Sequence, residues 1–139
     1  MAPELFTWGY ILLLRVVSFK ITSDLDSFVN ELRKYNIAVS DVVRKHIPVV
    51  LSLRKEELTK HINEMDKNIV RTITVKLEED VLSKLIRFSE KHGLTVSEVL
   101  RIALKIARDR MLVRIDNGDS FVYIPRYLAE KLALVMSNV

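Results

Sequence analysis

The chain has no cysteine and no glutamine, only three glycines and three prolines among 139 residues, and a single tryptophan. Without cysteine, disulfide scaffolds, thiol nucleophiles and thiolate metal sites are excluded, so stability must come from packing and association, and a reducing, intracellular setting fits. Few glycines beside many Lys, Arg and Glu form a balance often found where thermal stability is demanded. A long hydrophobic run is also missing. Leu5 to Val17 is the only strongly apolar stretch near the N-terminus, and at roughly 13 residues broken by Arg15 it is too short to span a bilayer. Glu4 stands where a signal peptide would carry its basic region, so neither secretion nor a membrane partner is expected.

What is present indicates a folded protein: 49% of residues are apolar and 29% charged. A net charge of +4 and a pI near 9.4 suit a polyanionic partner. An excess this small is equally common in proteins that bind nothing acidic.

Residues 71–104, RTITVKLEEDVLSKLIRFSEKHGLTVSEVLRIAL, carry most information. Thr72, Thr74 and Lys76 alternate with Ile73, Val75 and Leu77, which predicts a strand with one polar and one apolar face. Glu78, Glu79 and Asp80 follow, placed to favour a helix start, and Val81, Leu82, Leu85 and Phe88 give that helix an inner face. Gly93 stops it. Thr95 and Glu98 then form a capping box for a helix so broadly apolar that it needs cover from two sides. One strand and one helix cannot supply both, so a second copy of the unit is required.

The chain contains a second segment of that order. Residues 16–47, VVSFKITSDLDSFVNELRKYNIAVSDVVRKHI, repeat strand, acidic helix start, apolar helix, turn and helix; VSDVVR at 39–44 parallels VSEVLR at 96–101, and Val16, Ser18 and Lys20 match Thr72, Thr74 and Lys76. The offset is 57 residues at the second helix and 56 at the strand, so one residue is missing from the intervening helix or turn. Asn36 stands in for Gly93, Ala38 replaces the capping Thr95, and Pro48 is expected to cut the last helix short. Leu53–Lys67, with Leu58, Ile62 and Met65 in a narrow stripe, reads as a mostly solvated connecting helix. It is long enough to join two half-ribbons within one chain or two separate ones.

Beyond Met111, the runs MLVRID and DSFVYI around Asn117-Gly118 predict a two-residue hairpin, with Val113 facing Val122, Met111 facing Ile124 and Arg114 beside Phe121. Pro125 would open a final helix with Leu128, Leu132 and Val135 on one face, Ala129 and Met136 near it.

The 71–104 segment resembles the ribbon-helix-helix superfamily of Arc-like and methionine-repressor-like regulators, through the strand RTITVKL, the helix start EED and the stretch GLTVSEVLRIAL. The resemblance implies a two-fold unit that inserts a two-stranded ribbon in the major groove, with Thr72, Thr74 and Lys76, and in the first copy Val16, Ser18 and Lys20, reading bases. It further implies phosphate contacts at the start of the second helix, through Thr95, Val96 and Ser97 with Val39 and Ser40 in the first copy, and through Arg71. Chemistry agrees: hydroxyls donate or accept at base edges, lysine donates to guanine, valine meets a thymine methyl, and free amides at a helix start bind anions. The same face read without the helix pattern is merely the solvated side of a small ribbon. Residues 113–134, particularly VYIPRYLAEKLAL, resemble the first half of a swapped-hairpin AbrB-like unit. A second hairpin would have to follow and the chain ends at Val139, so the tail is expected to serve assembly or a protein partner.

His46, His61 and His92 sit in separate segments with no carboxylate at ligand spacing, and lone histidines near helix ends are usually solvated. The acid pairs lie at helix starts, where the dipole accounts for them. Asp116 and Asp119 flank a turn, and Arg101, Lys105 and Arg108 read as a solvated basic stripe. No metal, cofactor or enzymatic activity is expected.

The fold expected is mainly α with short β-ribbons (α+β): a degenerate ribbon-helix-helix copy over 1–48, a linker helix over 49–70, a second copy over 71–110, and a hairpin-helix assembly element over 111–139. The function expected is sequence-specific double-stranded DNA binding, as a repressor in a homo-oligomer, in the cytoplasm at the nucleoid. A DNA-organising, partition or viral packaging protein is one alternative; an antitoxin-like protein-interaction module is another.

Overall fold

The computed structural model describes residues 14–117 and 120–125. The apolar stretch before Leu14 and the helix expected after Pro125 lie outside them. The chain is mixed α+β and mostly helical. Its elements are β1 (Leu14–Thr22), α1 (Ser23–Lys34), α2 (Val39–Leu51), α3 (Lys55–Glu64), β2 (Ile69–Glu78), α4 (Glu79–His92), α5 (Val96–Met111), β3 (Leu112–Asn117) and β4 (Ser120–Pro125).

Alternation in β1 and β2 produces the central feature. The two strands pair antiparallel within the chain, with Val16 opposite Lys76, Ser18 opposite Thr74 and Lys20 opposite Thr72. Phe19 and Ile21 from β1 and Ile73, Val75 and Leu77 from β2 are buried on one face. On them pack Leu25, Phe28, Val29 and Leu32 of α1 and Val42, Val43, Ile47 and Val50 of α2. Val99, Leu100, Ala103 and Leu104 of α5 complete a single apolar cluster. Its largest members are almost fully enclosed, and each contributes roughly 1.5–3 kcal/mol by leaving water.

The turns after α1 and α4 close in the same way despite unequal sequences. α4 ends at Gly93 with φ 67° and α1 is followed by Asn36 with φ 58°. In each case the next amide bonds back over the helix end, Leu94 to the Ser89 carbonyl and Ile37 to the Leu32 carbonyl, both at 2.8 Å. This is the left-handed closure that glycine and asparagine tolerate. The one-residue difference in offset arises between the helix starts and the turns, since Ser23 and Glu79 lie 56 residues apart and the left-handed Asn36 and Gly93 lie 57 apart.

Several expectations need correction. Pro48 does not end α2, which runs on to Leu51; the ring lies in solvent in the last turn, where the missing amide costs one bond near an end that frays anyway. His46 is buried and His61 half-buried. The basic stripe on α5 is internal: Lys105 is only 3% exposed. Its ammonium donates to His61 Nδ1 (3.1 Å) and Glu64 Oε2 (3.0 Å) of α3, while Arg108 pairs with Asp24 at 2.8 Å. The connecting helix therefore lies against α5, burying Leu58, with Met65 just beyond its end also buried. The hairpin register is shifted by two: Val113 faces Ile124, Arg114 faces Tyr123 and Asn117 faces Ser120, with Pro125 the last residue of β4. A shift of two preserves the alternation of faces.

Candidate nucleic-acid interface

β1 and β2 expose one face made of three consecutive cross-strand pairs: Val16 with Lys76, Ser18 with Thr74, and Lys20 with Thr72. All six side chains are exposed, and Val16, an apolar residue, is 66% exposed. The pattern is close to two-fold symmetric about the central Ser18/Thr74 pair. A lysine stands at each end on opposite strands, and the residues opposite them, Val16 and Thr72, differ. Among the described residues no carboxylate pairs with Lys20 or Lys76, so two ammonium groups stand uncompensated on this face.

The ends of the ribbon are held by a feature the sequence had displayed without its meaning being read. Arg44 Nη1 donates to the Lys76 carbonyl at 3.0 Å, and Arg101 Nη1 donates to the Lys20 carbonyl at 3.0 Å. These are the terminal arginines of VSDVVR and VSEVLR, so each second helix grips the backbone beside one lysine. The signal was their identical place in the repeated hexapeptide. The Lys76 amide also donates to Ser40 Oγ at 3.3 Å. Anchoring the two carbonyls fixes the ribbon while leaving both lysine side chains free to point outward.

The expected phosphate contacts fall into different situations. The helix starts at Val39 and Val96 flank opposite ends of the ribbon, because α2 touches Lys76 through Ser40 and Arg44 and α5 touches Lys20 through Arg101. Thr95 is engaged in the capping box: its amide donates to Glu98 Oε1 at 2.9 Å, and its hydroxyl accepts from the Glu98 amide at 3.1 Å. That leaves the Val96 and Ser97 amides at the helix start, and at α2 those of Val39 and Ser40, where Ala38 provides no side-chain cap. Such amides carry the positive end of the helix dipole. Arg71 is committed elsewhere, its guanidinium bonded to Asp26 and, at 3.1 Å, to Asn30 Oδ1.

Nearby acids do not cancel the charge of the face, since Asp24 is paired with Arg108 and Asp26 with Arg71. Among the described residues no group of three or more His, Asp or Glu is placed to hold a metal ion, and no helix is long and apolar enough to cross a membrane. No family model, curated protein or solved structure matches the chain.

Proposed function

We propose that this chain is a sequence-specific double-stranded DNA-binding protein, a repressor of the ribbon-helix-helix kind whose two tandem copies build one ribbon inside one chain. The observation that carries the reading is the β1/β2 register, which turns two separate polar sets into a single exposed face of three cross-strand pairs. A two-stranded ribbon is one of few protein shapes that enter the major groove, and hydroxyl and ammonium donors on it match the acceptors of base edges. Helix starts flanking both ends suit the two phosphate backbones that border that groove. Occupying an operator blocks access by other proteins, so no catalytic group is required.

The test is to sequence duplexes retained by the purified protein from a random pool and to compare affinity for the enriched site with that for scrambled DNA. A regulator should prefer its site by about 10³ or more. A ratio near one favours a DNA-organising role, and no retention at all removes the reading in favour of a protein-interaction module.

A further inference from the structure

A cavity of about 430 Å³ opens between the first half of α2 and the C-terminal end of α5. Its size is in the range of small-molecule sites, roughly 300–1,000 Å³. Ile37, Val42 and Met111 give it an apolar side; Asp41, Lys45 and His46 give it a polar one, and Arg110 adds a second cation to the rim.

His46 points to a ligand. It is 6% exposed, and its Nδ1 lies 2.8 Å from the Val42 carbonyl. A carbonyl only accepts, so Nδ1 donates to it, and Nε2 is the ring atom left over for another partner. Among the described residues no buried side-chain nitrogen or oxygen lacks a partner, and none bonds Nε2. This atom is therefore reached by solvent, through the cavity that the ring lines. Packing does not explain a histidine here. The matching positions on α5, 57 residues on, are Ala103 for His46 and Ile102 for Lys45, and both are fully buried. The second copy thus places small or apolar groups where the first places a histidine and a lysine around a void.

We propose that this cavity binds an apolar α-amino acid. Lys45 faces the carboxylate, His46 Nε2 and the Asp41 carboxylate accept from the ammonium group, and Ile37, Val42 and Met111 receive the side chain. Neither a metal ion nor a simple anion uses this set as fully, because the walls offer an acceptor, an anion, a cation and an apolar floor together. Asp41 also bonds Arg44, whose other nitrogen holds the Lys76 carbonyl. Occupancy therefore acts on one end of the ribbon; that it alters DNA affinity rests on the DNA-binding reading, whereas binding itself does not.

The experiment titrates the full-length protein, without DNA, with L-leucine, L-methionine and L-phenylalanine to about 10 mM, well above millimolar dissociation constants. It follows the histidine ring nitrogens and backbone amides by NMR. At least one amino acid should shift the His46 ring and the Lys76 amide saturably while leaving His61, His92 and Lys20 in place. 4-Methylpentanoate and isopentylamine, each lacking one of leucine's charged groups, should bind at least tenfold more weakly. His46→Ala, which restores the residue of the matching position, and Lys45→Met should each weaken binding tenfold or more with unchanged circular dichroism. No saturable shift with any of the three, or unaltered binding in both variants, overturns the proposal.

Discussion

Replacing Lys20 and Lys76 by alanine, singly and together, probes the ribbon where its chemistry is separable from its fold. Both side chains point into solvent, and both backbones stay anchored, since Arg101 and Arg44 hold carbonyl oxygens rather than side chains. Unfolding free energy should therefore change by no more than about 0.5 kcal/mol. A lysine donating to guanine acceptors contributes about 1–3 kcal/mol of discrimination, so each variant should lose roughly 5- to 150-fold on the enriched duplex and much less on scrambled DNA. The pairs Val16/Lys76 and Lys20/Thr72 lie four residues apart along β1, about 14 Å at strand rise, beyond the distance at which substitutions couple. Losses should add, to about 2–6 kcal/mol in the double variant. The same distance corresponds to about four base pairs, which fixes the expected spacing of the two guanines on opposite strands. Fluorescence anisotropy on both duplexes at two salt concentrations, beside thermal melts, separates the outcomes. Parental binding in both single variants, or equal losses on specific and scrambled DNA, would refute base reading by this face.

Leu100, fully buried in α5, should cost about 2–5 kcal/mol when changed to alanine, read as a lower urea midpoint at unchanged slope; a loss below 1 kcal/mol would place it outside the core. His61 has its pKa lowered from 6.5, first by burial and then by the Lys105 ammonium. The unfolded chain thus binds its proton more readily, and stability complete above pH 6.5 falls as pH drops through that value; His61→Asn should flatten this acid limb of the melting profile, and superimposable profiles would count against it. Val16→Thr makes the two ends alike and should shift the enriched site toward a perfect inverted repeat, with no change in site meaning that Val16 touches no base. A chain ending at Met111 should be a folded monomer that binds one short site, whereas a tight dimer would assign assembly to residues 1–111.

Legibility followed the range of the interactions. Strand alternation, acidic helix starts, the Thr95/Glu98 box and the Gly93 and Asn36 turns are decided by neighbours within a few residues, and all were readable. The repeat went further, because matching strands 56 positions apart implied that each needs a second strand, of this chain or of another, and β1 pairs with β2 of the same chain. What escaped depended on three-dimensional neighbours. Lys105 and Arg108 sit at spacing that normally marks a wet face, yet α3 folds back over one and Asp24 reaches the other. His46 was indistinguishable from a solvated histidine because nothing local announces a cavity formed by Met111, 65 residues away. Arg44 and Arg101 were visible as a repeated letter but not as anchors, since their acceptors are backbone atoms that no sequence pattern marks.

Forming the ribbon within one chain changes what substitution can do to it. In a symmetric dimer every ribbon residue occurs twice, so a change that suits one half-site is imposed on the other. Here Val16 and Thr72 occupy related places and differ, Ser18 and Thr74 differ, and only the lysines match. Tethering supplies the partner strand at high effective concentration, so the first copy keeps its pairing despite an uncapped α2 and a proline in its last turn. The two segments differ most away from the ribbon. α3 reaches α5 at Lys105, through His61 and Glu64, whereas Lys45 and His46 of α2 line an open cavity. The two ends of the ribbon are thus held by arginines at matching positions but backed by unlike surroundings. On the α2 side Asp41 and Arg44 connect the lining of one cavity to the Lys76 carbonyl; on the α5 side Arg101, which holds the Lys20 carbonyl, lines with Glu98 a smaller cavity of about 240 Å³.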